Sequence, residues 1–172
     1  ILLWTDMAQG EFSALGLVEE LDDTLRVKEV FLLEQQCDRA GTEIDQAAVA
    51  QLMMEGVDPG KLRCWIHSHA DMEVFWSKTD DVCIQGLANG EWLLSIVVNK
   101  LHESMMRIDQ FHPTQIYLED VIWEVHYLLD EELEAQCRAE FKKKVRESDF
   151  RPFGELEEAM DWMEWEAELC DI

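Results

Sequence analysis

His67-Ser68-His69 closes an apolar run, Leu62-Arg63-Cys64-Trp65-Ile66, and is followed by Ser77 and Asp80. The pattern reads H-S-H-x7-S-x2-D. An apolar run this short, without helical spacing, reads as a buried strand. Successive side chains of a strand alternate faces, so His67 and His69 point the same way and can share one metal ion. Asp80 then arrives as an oxygen ligand after a stretch long enough to turn back. Two imidazoles and one carboxylate, with a fourth position open, is the ligand set of a catalytic zinc site, whereas structural sites are closed by four protein ligands. The chain therefore needs a buried strand that delivers both histidines at its end.

The surrounding sequence reads as α/β. Residues 1–9 have helix-like apolar spacing and stop at Gly10. Glu11 to Glu19 is predicted as a strand, Asp22-Asp23-Thr24 as a turn and Leu25 to Leu33 as its hairpin partner. Thr42 is placed to cap a helix, helped by Asp45, that runs through Ala47, Ala48, Leu52 and Met53 to Gly56. Pro59-Gly60 is a turn. Thr79 or Asp80 is expected to open a helix over Asp81 to Leu87, closed by Asn89-Gly90, with Ser77 beside Thr79 as an alternative cap. Trp92 to Asn99, Met105 to Phe111 and Gln115 to Val125 are predicted strands that complete the sheet.

Asp130 to Arg146 carries Leu133, Cys137, Phe141 and Val145 at four-residue spacing. Acids lie in its first turns and Lys142, Lys143, Lys144 and Arg146 in its last, an order that suits the helix dipole. The basic end is read as solvated. Pro152-Phe153-Gly154 breaks this helix. Glu155 to Leu169 is predicted as another, with Leu156, Met160, Met163 and Ala167 on one face and Trp162 and Trp165 adjacent. That stripe is expected to pack on the body of the same chain.

A chain of 172 residues with 48% hydrophobic residues is one ordinary globular unit with room for a core. Its mean hydropathy of −0.21 fits a water-soluble protein, and no apolar run is long enough to cross a bilayer. Ile1-Leu2-Leu3-Trp4 has no basic flank and reads as entry into an element, not as a signal peptide. With 14 basic and 38 acidic side chains the formal charge is −24, and residues 155–172 alone hold eight acids. This disfavours nucleic acid, which needs a basic footprint, and an anionic membrane surface. Cys37, Cys64, Cys83, Cys137 and Cys170 are scattered, without C-x-x-C spacing, so no disulfide framework or second zinc site is expected. Each is read as a buried thiol in a reducing compartment, the cytoplasm. His102, His112 and His126 lack partners at ligand spacing and read as ordinary.

The motif H-x-H-x7-S-x2-D on a strand resembles that of the JAMM (MPN-domain, JAB-type) zinc metalloproteases. That family also uses an upstream glutamate at the start of a strand reading E-x-x-G or close to it. Gln9-Gly10-Glu11-Phe12-Ser13-Ala14-Leu15-Gly16 supplies a candidate, with Glu11 in the glutamate position. The similarity spans about residues 1–130 in element order, which makes residues 131–172 a helical C-terminal extension. Two departures stand out. Ala70 occupies the place after the second histidine where eukaryotic members usually have Pro, and Ala14 stands where a Gly is expected, with Gly16 two places on. The wording Phe75-Trp76-Ser77-Lys78-Thr79-Asp80 is closer to bacterial or phage relatives.

The resemblance implies an α/β domain with a mixed sheet flanked by helices, and a zinc ion held by His67, His69 and Asp80 with a bound water whose pKa falls to about 7. Glu11 is implied as the general base and Ser77 as a donor to the oxyanion. The implied reaction is hydrolysis of the amide bond after the C-terminal tail of ubiquitin or a ubiquitin-like protein, with conjugation enzymes as further partners. Phe75, Trp76 and Ser77-Lys78-Thr79 are the expected walls of the site. The short interval between Asp80 and Val97 implies a compact enzyme acting on a prokaryotic modifier or a precursor. Two rival readings stay open: a zinc peptidase of phage or bacterial origin with another substrate, and a catalytically silent MPN scaffold. The H-E-x-x-H arrangement of thermolysin-like proteases is absent, as is the H-x-E with C-x-x-C arrangement of zinc deaminases.

Overall fold

A computed structural model describes residues 1–38, 41–88, 90–119, 121–125 and 130–148. Its frame is a six-stranded mixed sheet built from β1 (Ser13–Leu21), β2 (Thr24–Leu32), β5 (Leu62–Ser68), β6 (Trp92–Val98), β7 (Ser104–Gln110) and β8 (Ile116–Leu118), in the order β2-β1-β5-β6-β7-β8. β5 and β6 are parallel and the other pairs antiparallel. A second sheet, β4-β3-β9, joins β3 (Gln35–Cys37), β4 (Thr42–Ile44) and β9 (Val145–Glu147), with β9 parallel to β3. The helices are α1 (Leu2–Met7), α2 (Gln46–Met54), α3 (Lys78–Gly86) and α4 (Glu131–Lys144). The architecture is thus mixed α/β with helices flanking the sheets, and among the described residues no helix is long and apolar enough to cross a membrane.

The alternation of β1, β5, β6 and β7 sorts their residues onto two faces. Phe12, Ala14, Cys64, Ile66, Leu94, Ile96, Val98 and Met106 build one core, which takes Trp4 from α1 and Phe141 from α4. Leu15, Trp65 and Leu93 lie on the opposite face with Leu52 of α2 and Ile84 of α3. Phe12 meets Trp4 and Phe141 edge-on, at centroid distances of 6.4 and 6.0 Å. The Trp4 indole N–H donates to the Cys137 carbonyl, and the Lys144 ammonium donates to the Leu32 carbonyl. Residues 131–147 are therefore stitched into the body of the molecule, and Lys144 is not merely a solvated helix end.

Gly16 is required by close approach. A Cβ there would stand 3.0 Å from both Cys64 Cβ and Val27 Cγ1, at a point where the register of β1 against β5 shifts. Gly56 closes α2 with φ +97°, a conformation that only glycine adopts freely.

Several boundaries differ from the sequence reading. Glu11 and Phe12 precede β1 instead of belonging to it. Thr42 lies in β4 and bonds Gln35, while Asp45 alone caps α2 by accepting from the Ala47 amide. Neither Thr79 nor Asp80 opens α3; Ser77 is its N-cap. The predicted strand over Gln115 to Val125 is regular only over Ile116–Leu118. Val145 and Arg146 leave the helix to pair with β3, which places Val145 in the apolar core. Cys37 and Cys64 are buried, but Cys83 is exposed and Cys137 half-buried, so the cysteines are not uniformly core residues. Burial pushes the Cys37 thiol up to about 11 and Cys64 further. Asn89, His126, the break at Pro152-Phe153-Gly154, the helix predicted over Glu155 to Leu169 and Cys170 lie outside the described residues.

Candidate metal centre

β5 runs parallel to β6 in the middle of the sheet, and its C-terminal end delivers the two histidines. His67 is the penultimate residue of the strand, and His69 lies just beyond it with its amide still bonded to the Val98 carbonyl of β6 (2.8 Å). The alternation expected of an extended chain therefore persists through residue 69. His67 Nε2 and His69 Nε2 are 3.2 Å apart. Asp80 faces both, with Oδ1 at 3.2 Å from His67 Nε2 and Oδ2 at 3.8 Å from His69 Nε2. The ligand atoms of this trio lie within 4.8 Å of one another, all three residues are buried, and the group can hold a metal ion.

Each donor is aimed by a second contact. His69 Nδ1 stands 2.9 Å from the Glu73 carbonyl, so Nδ1 carries the proton and Nε2 presents a lone pair. The chain reaches that carbonyl through a tight turn in which Ala70 has φ +46° and the Met72 amide bonds the His69 carbonyl. Proline, whose ring fixes φ near −65°, cannot make this turn. Ala70 is thus not interchangeable with proline in the way the chain leaves the second histidine.

His67 Nδ1 has no hydrogen-bond partner among the described residues. Its ring is held by packing instead, stacked on Trp65 at 4.2 Å and 10° and flanked by Trp76 at 5.8 Å. Trp65 is two residues earlier on the same strand face, and its indole N–H reaches Ser13 Oγ. Phe75 covers the His69 ring at 4.7 Å while remaining 45% exposed, so it forms an apolar lip between the centre and solvent.

Asp80 is oriented by a capping box. Its amide donates to Ser77 Oγ (3.1 Å), and Asp80 Oδ2 accepts from the Ser77 amide (2.7 Å). Ser77 thereby sits directly beside the trio. Its hydroxyl accepts one bond there and keeps its own hydrogen for donation.

Glu11 enters from the segment just before β1, the strand next to β5. Ser13 pairs with His67, and Phe12 and Ser68 exchange bonds through the Ser68 amide and hydroxyl, so the same count sets Glu11 level with His69. Gln35 fixes this approach from the second sheet by holding both the amide and the carbonyl of Ser13. The Glu11 amide donates to the Asp38 carbonyl.

The electrostatics follow from burial in a crowded polar pocket. Burial pushes the Glu11 carboxyl up to about 7; His69 opposes this, and Asp80 and Asp38 add to it. Burial also raises Asp80, but hydrogen bonds from both imidazoles and from the Ser77 side chain override it and hold the carboxyl well below the usual carboxylate range. Burial lowers His67 against the pull of Asp80. For His69 burial lowers too, but Asp80 and the Glu73 carbonyl outweigh it and the imidazole ends above its ordinary value.

His67, His69 and Asp80 come together here with Ser77 bonded to Asp80, and the Glu11 carboxyl lies near enough to feel the charges of His69 and Asp80. His102 instead pairs with Asp6 at 2.9 Å on the surface, and neither it nor His112 joins the trio. Arg107 and Asp109 were missed as contributors. They are buried on the same sheet face, and Arg107 reaches Asp81 beside the centre. Opposite charges two residues apart inside an otherwise apolar predicted strand were the available signal. No protein-family model matches the chain, and no curated protein matches it.

Proposed function

We propose that the chain is a zinc-dependent peptidase or isopeptidase of the JAMM type, cutting the amide bond that follows the C-terminal tail of a ubiquitin-like protein. The observation that carries this reading is the convergence of His67 Nε2, His69 Nε2 and the Asp80 carboxylate, with the raised carboxyl of Glu11 coming from the segment that leads into β1. Zn–N bonds of about 2.0–2.1 Å at the tetrahedral angle separate two ligand nitrogens by about 3.3 Å. The imidazoles here stand 3.2 Å apart, and the carboxylate 3.2 Å from one of them. Two nitrogens and an oxygen suit zinc, and three protein ligands leave a position for water and substrate.

Bound there, zinc supplies Lewis acidity and a water that ionises near pH 7, by about the margin typical of catalytic sites. The remaining work belongs to the chain. Glu11, not a ligand, accepts the proton of the attacking water and returns it to the leaving nitrogen, a role suited to a carboxyl poised near neutrality. Ser77 donates its hydroxyl hydrogen to the oxygen of the carbonyl under attack. Phe75, partly exposed and packed on the His69 ring, gives the mouth an apolar lip suited to an extended polypeptide tail.

Elemental analysis of the purified protein tests the reading. About one zinc per chain is expected, lost in His69→Ala because two ligands hold zinc poorly. Glu11→Gln is expected to keep zinc and lose turnover of a ubiquitin-like fusion by roughly 10²–10⁴-fold. Failure to take up zinc on reconstitution would overturn the centre, and near-wild-type cleavage by Glu11→Gln would overturn the role of Glu11.

A further inference from the structure

Arg107 lies on β7, two strands away from the histidines, yet it touches both flanks of the segment that carries Ser77 and Asp80. It is 6% exposed, and its guanidinium forks onto the 2%-exposed Asp109 through Nε (2.8 Å to Oδ2) and Nη2 (2.9 Å to Oδ1). The remaining nitrogen, Nη1, reaches Asp81 Oδ1 at 2.8 Å. The same plane lies over the Trp76 ring at 5.4 Å and the Tyr117 ring at 4.8 Å. Asp81 directly follows Asp80 in the first turn of α3, and Trp76 directly precedes Ser77 and flanks the His67 imidazole.

We infer that Arg107 is a positioning residue for the metal centre. Through Asp81 and Trp76 it clamps residues 76–81 against the sheet and so sets where the Asp80 carboxylate meets His67 and His69. The inference rests on the reading of His67, His69 and Asp80 as a zinc centre and extends it to what holds the third ligand.

The physical case is one of reach and rigidity. Within the trio His67 and His69 come from one strand and its extension, so their spacing is set by the backbone. Asp80 comes from a helix after a loop, and its capping box orients the carboxylate relative to Ser77 but does not tie either residue to the sheet. The Arg107–Asp81 pair is a tie of that kind, an ion pair reaching from β7 to the first turn of α3. It is anchored at the sheet end by a two-point fork that keeps the guanidinium from rotating. A lysine cannot make the fork and the bridge together. Groups that orient metal ligands from behind typically change metal affinity 10–100-fold when removed.

The test is zinc affinity measured by competition with a chromophoric chelator, alongside the visible spectrum of the cobalt-substituted protein. Asp81 is half-exposed, so Asp81→Ala removes the clamp without opening the core. Its zinc Kd is expected to rise about 10-fold, with a shifted cobalt band. Arg107→Lys, which keeps the charge, is expected to do the same, and the double variant to lose no more than either single one, because both remove one tie. Asp81→Glu should recover part of the affinity. A role confined to folding would lower the melting temperature and leave zinc affinity and the cobalt spectrum of the folded protein unchanged. Zinc affinity within twofold of wild type in both Asp81→Ala and Arg107→Lys overturns the inference. A wild-type chain that takes up no zinc overturns the centre itself.

Discussion

The two faces of the six-stranded sheet are made from alternate residues of the same strands, and they have been given different contents. Phe12, Ala14, Cys64, Ile66, Leu94, Ile96, Val98 and Met106 look toward α1 and α4 and form an apolar layer. Ser13, His67, Ser95, Arg107 and Asp109 are their strand neighbours, are also buried, and look the other way. Trp65, Leu15, Leu93, Leu52 and Ile84 surround that polar row with apolar cover. Burial alone therefore does not distinguish the faces. What differs is how much each would gain from being made apolar. The first face is already an apolar core. The second keeps polar and charged groups out of water, an arrangement that costs stability unless they are paired.

The largest effect expected from breaking this comparison lies on the apolar face. Phe12 is fully buried between Trp4 and Phe141, so Phe12→Ala should remove about 3–5 kcal/mol, as large-to-small core substitutions do. Urea denaturation of the metal-free protein measures it. The slope of stability against pH that Glu11 and Asp80 set should stay as in the wild type, because neither carboxyl belongs to that layer. A change of that slope in Phe12→Ala would show that the faces are not separable.

Zinc binding comes next, on the polar face. Saturation at 100 times Kd should add about 2.7 kcal/mol, reversed by chelator and absent in His69→Ala. Melting curves with and without chelator read this, and equal shifts in wild type and His69→Ala would contradict the ligand assignment.

The smallest effect is in pH. The Glu11 carboxyl is raised to about 7 in the folded state from an ordinary 4.5, so between these values the folded protein holds the proton that the unfolded chain has lost. Its stabilising contribution is complete below pH 4.5 and disappears as pH rises through 7. For metal-free protein this amounts to about 1–2 kcal/mol after allowance for solvent screening, and Glu11→Gln should flatten that part of the profile. Asp80 acts with the opposite sign: its carboxyl is held low, so its contribution is present above the ordinary carboxylate range and is lost on acidification. An unchanged profile between pH 5 and 8 in Glu11→Gln would mean that Glu11 is not the group responsible.

Much of the centre was legible because it is local. His67 and His69 are two apart on a strand, Ser77 and Asp80 three apart at a helix start, and both spacings carry their geometry with them. The strands β1, β2, β5, β6 and β7 were legible for the same reason, each being a long run with a clear apolar content. Gln35–Cys37, Thr42–Ile44 and Val145–Glu147 were not. Strands of three residues have no periodicity to read, and β9 pairs with a strand more than a hundred residues earlier in the chain. The cap of α2 was misplaced because Thr42 as well as Asp45 suits a cap in isolation, and only the pairing of Thr42 with Cys37 in the second sheet removes it from contention. Arg107 illustrates the remaining gap: its position in an apolar strand is visible, but its partner Asp81 is known only once α3 has been laid on the sheet.

The parallel pairing of β9 with β3 makes the far end of the described chain a neighbour of the candidate proton acceptor. Ser148 holds the Cys37 carbonyl through both its amide and its hydroxyl, the next carbonyl along, that of Asp38, holds the Glu11 amide, and Glu147 accepts from the amide of Gln9. Both sides of Glu11 are thus tied to a segment that the sequence alone would assign to an appendage. A truncation at residue 130 that spares every metal ligand would leave Glu11 without this scaffold, and amide exchange at Glu11 and Asp38 would register the loosening. For anyone trimming the chain, the shortest piece that keeps these ties around Glu11 runs at least to Ser148.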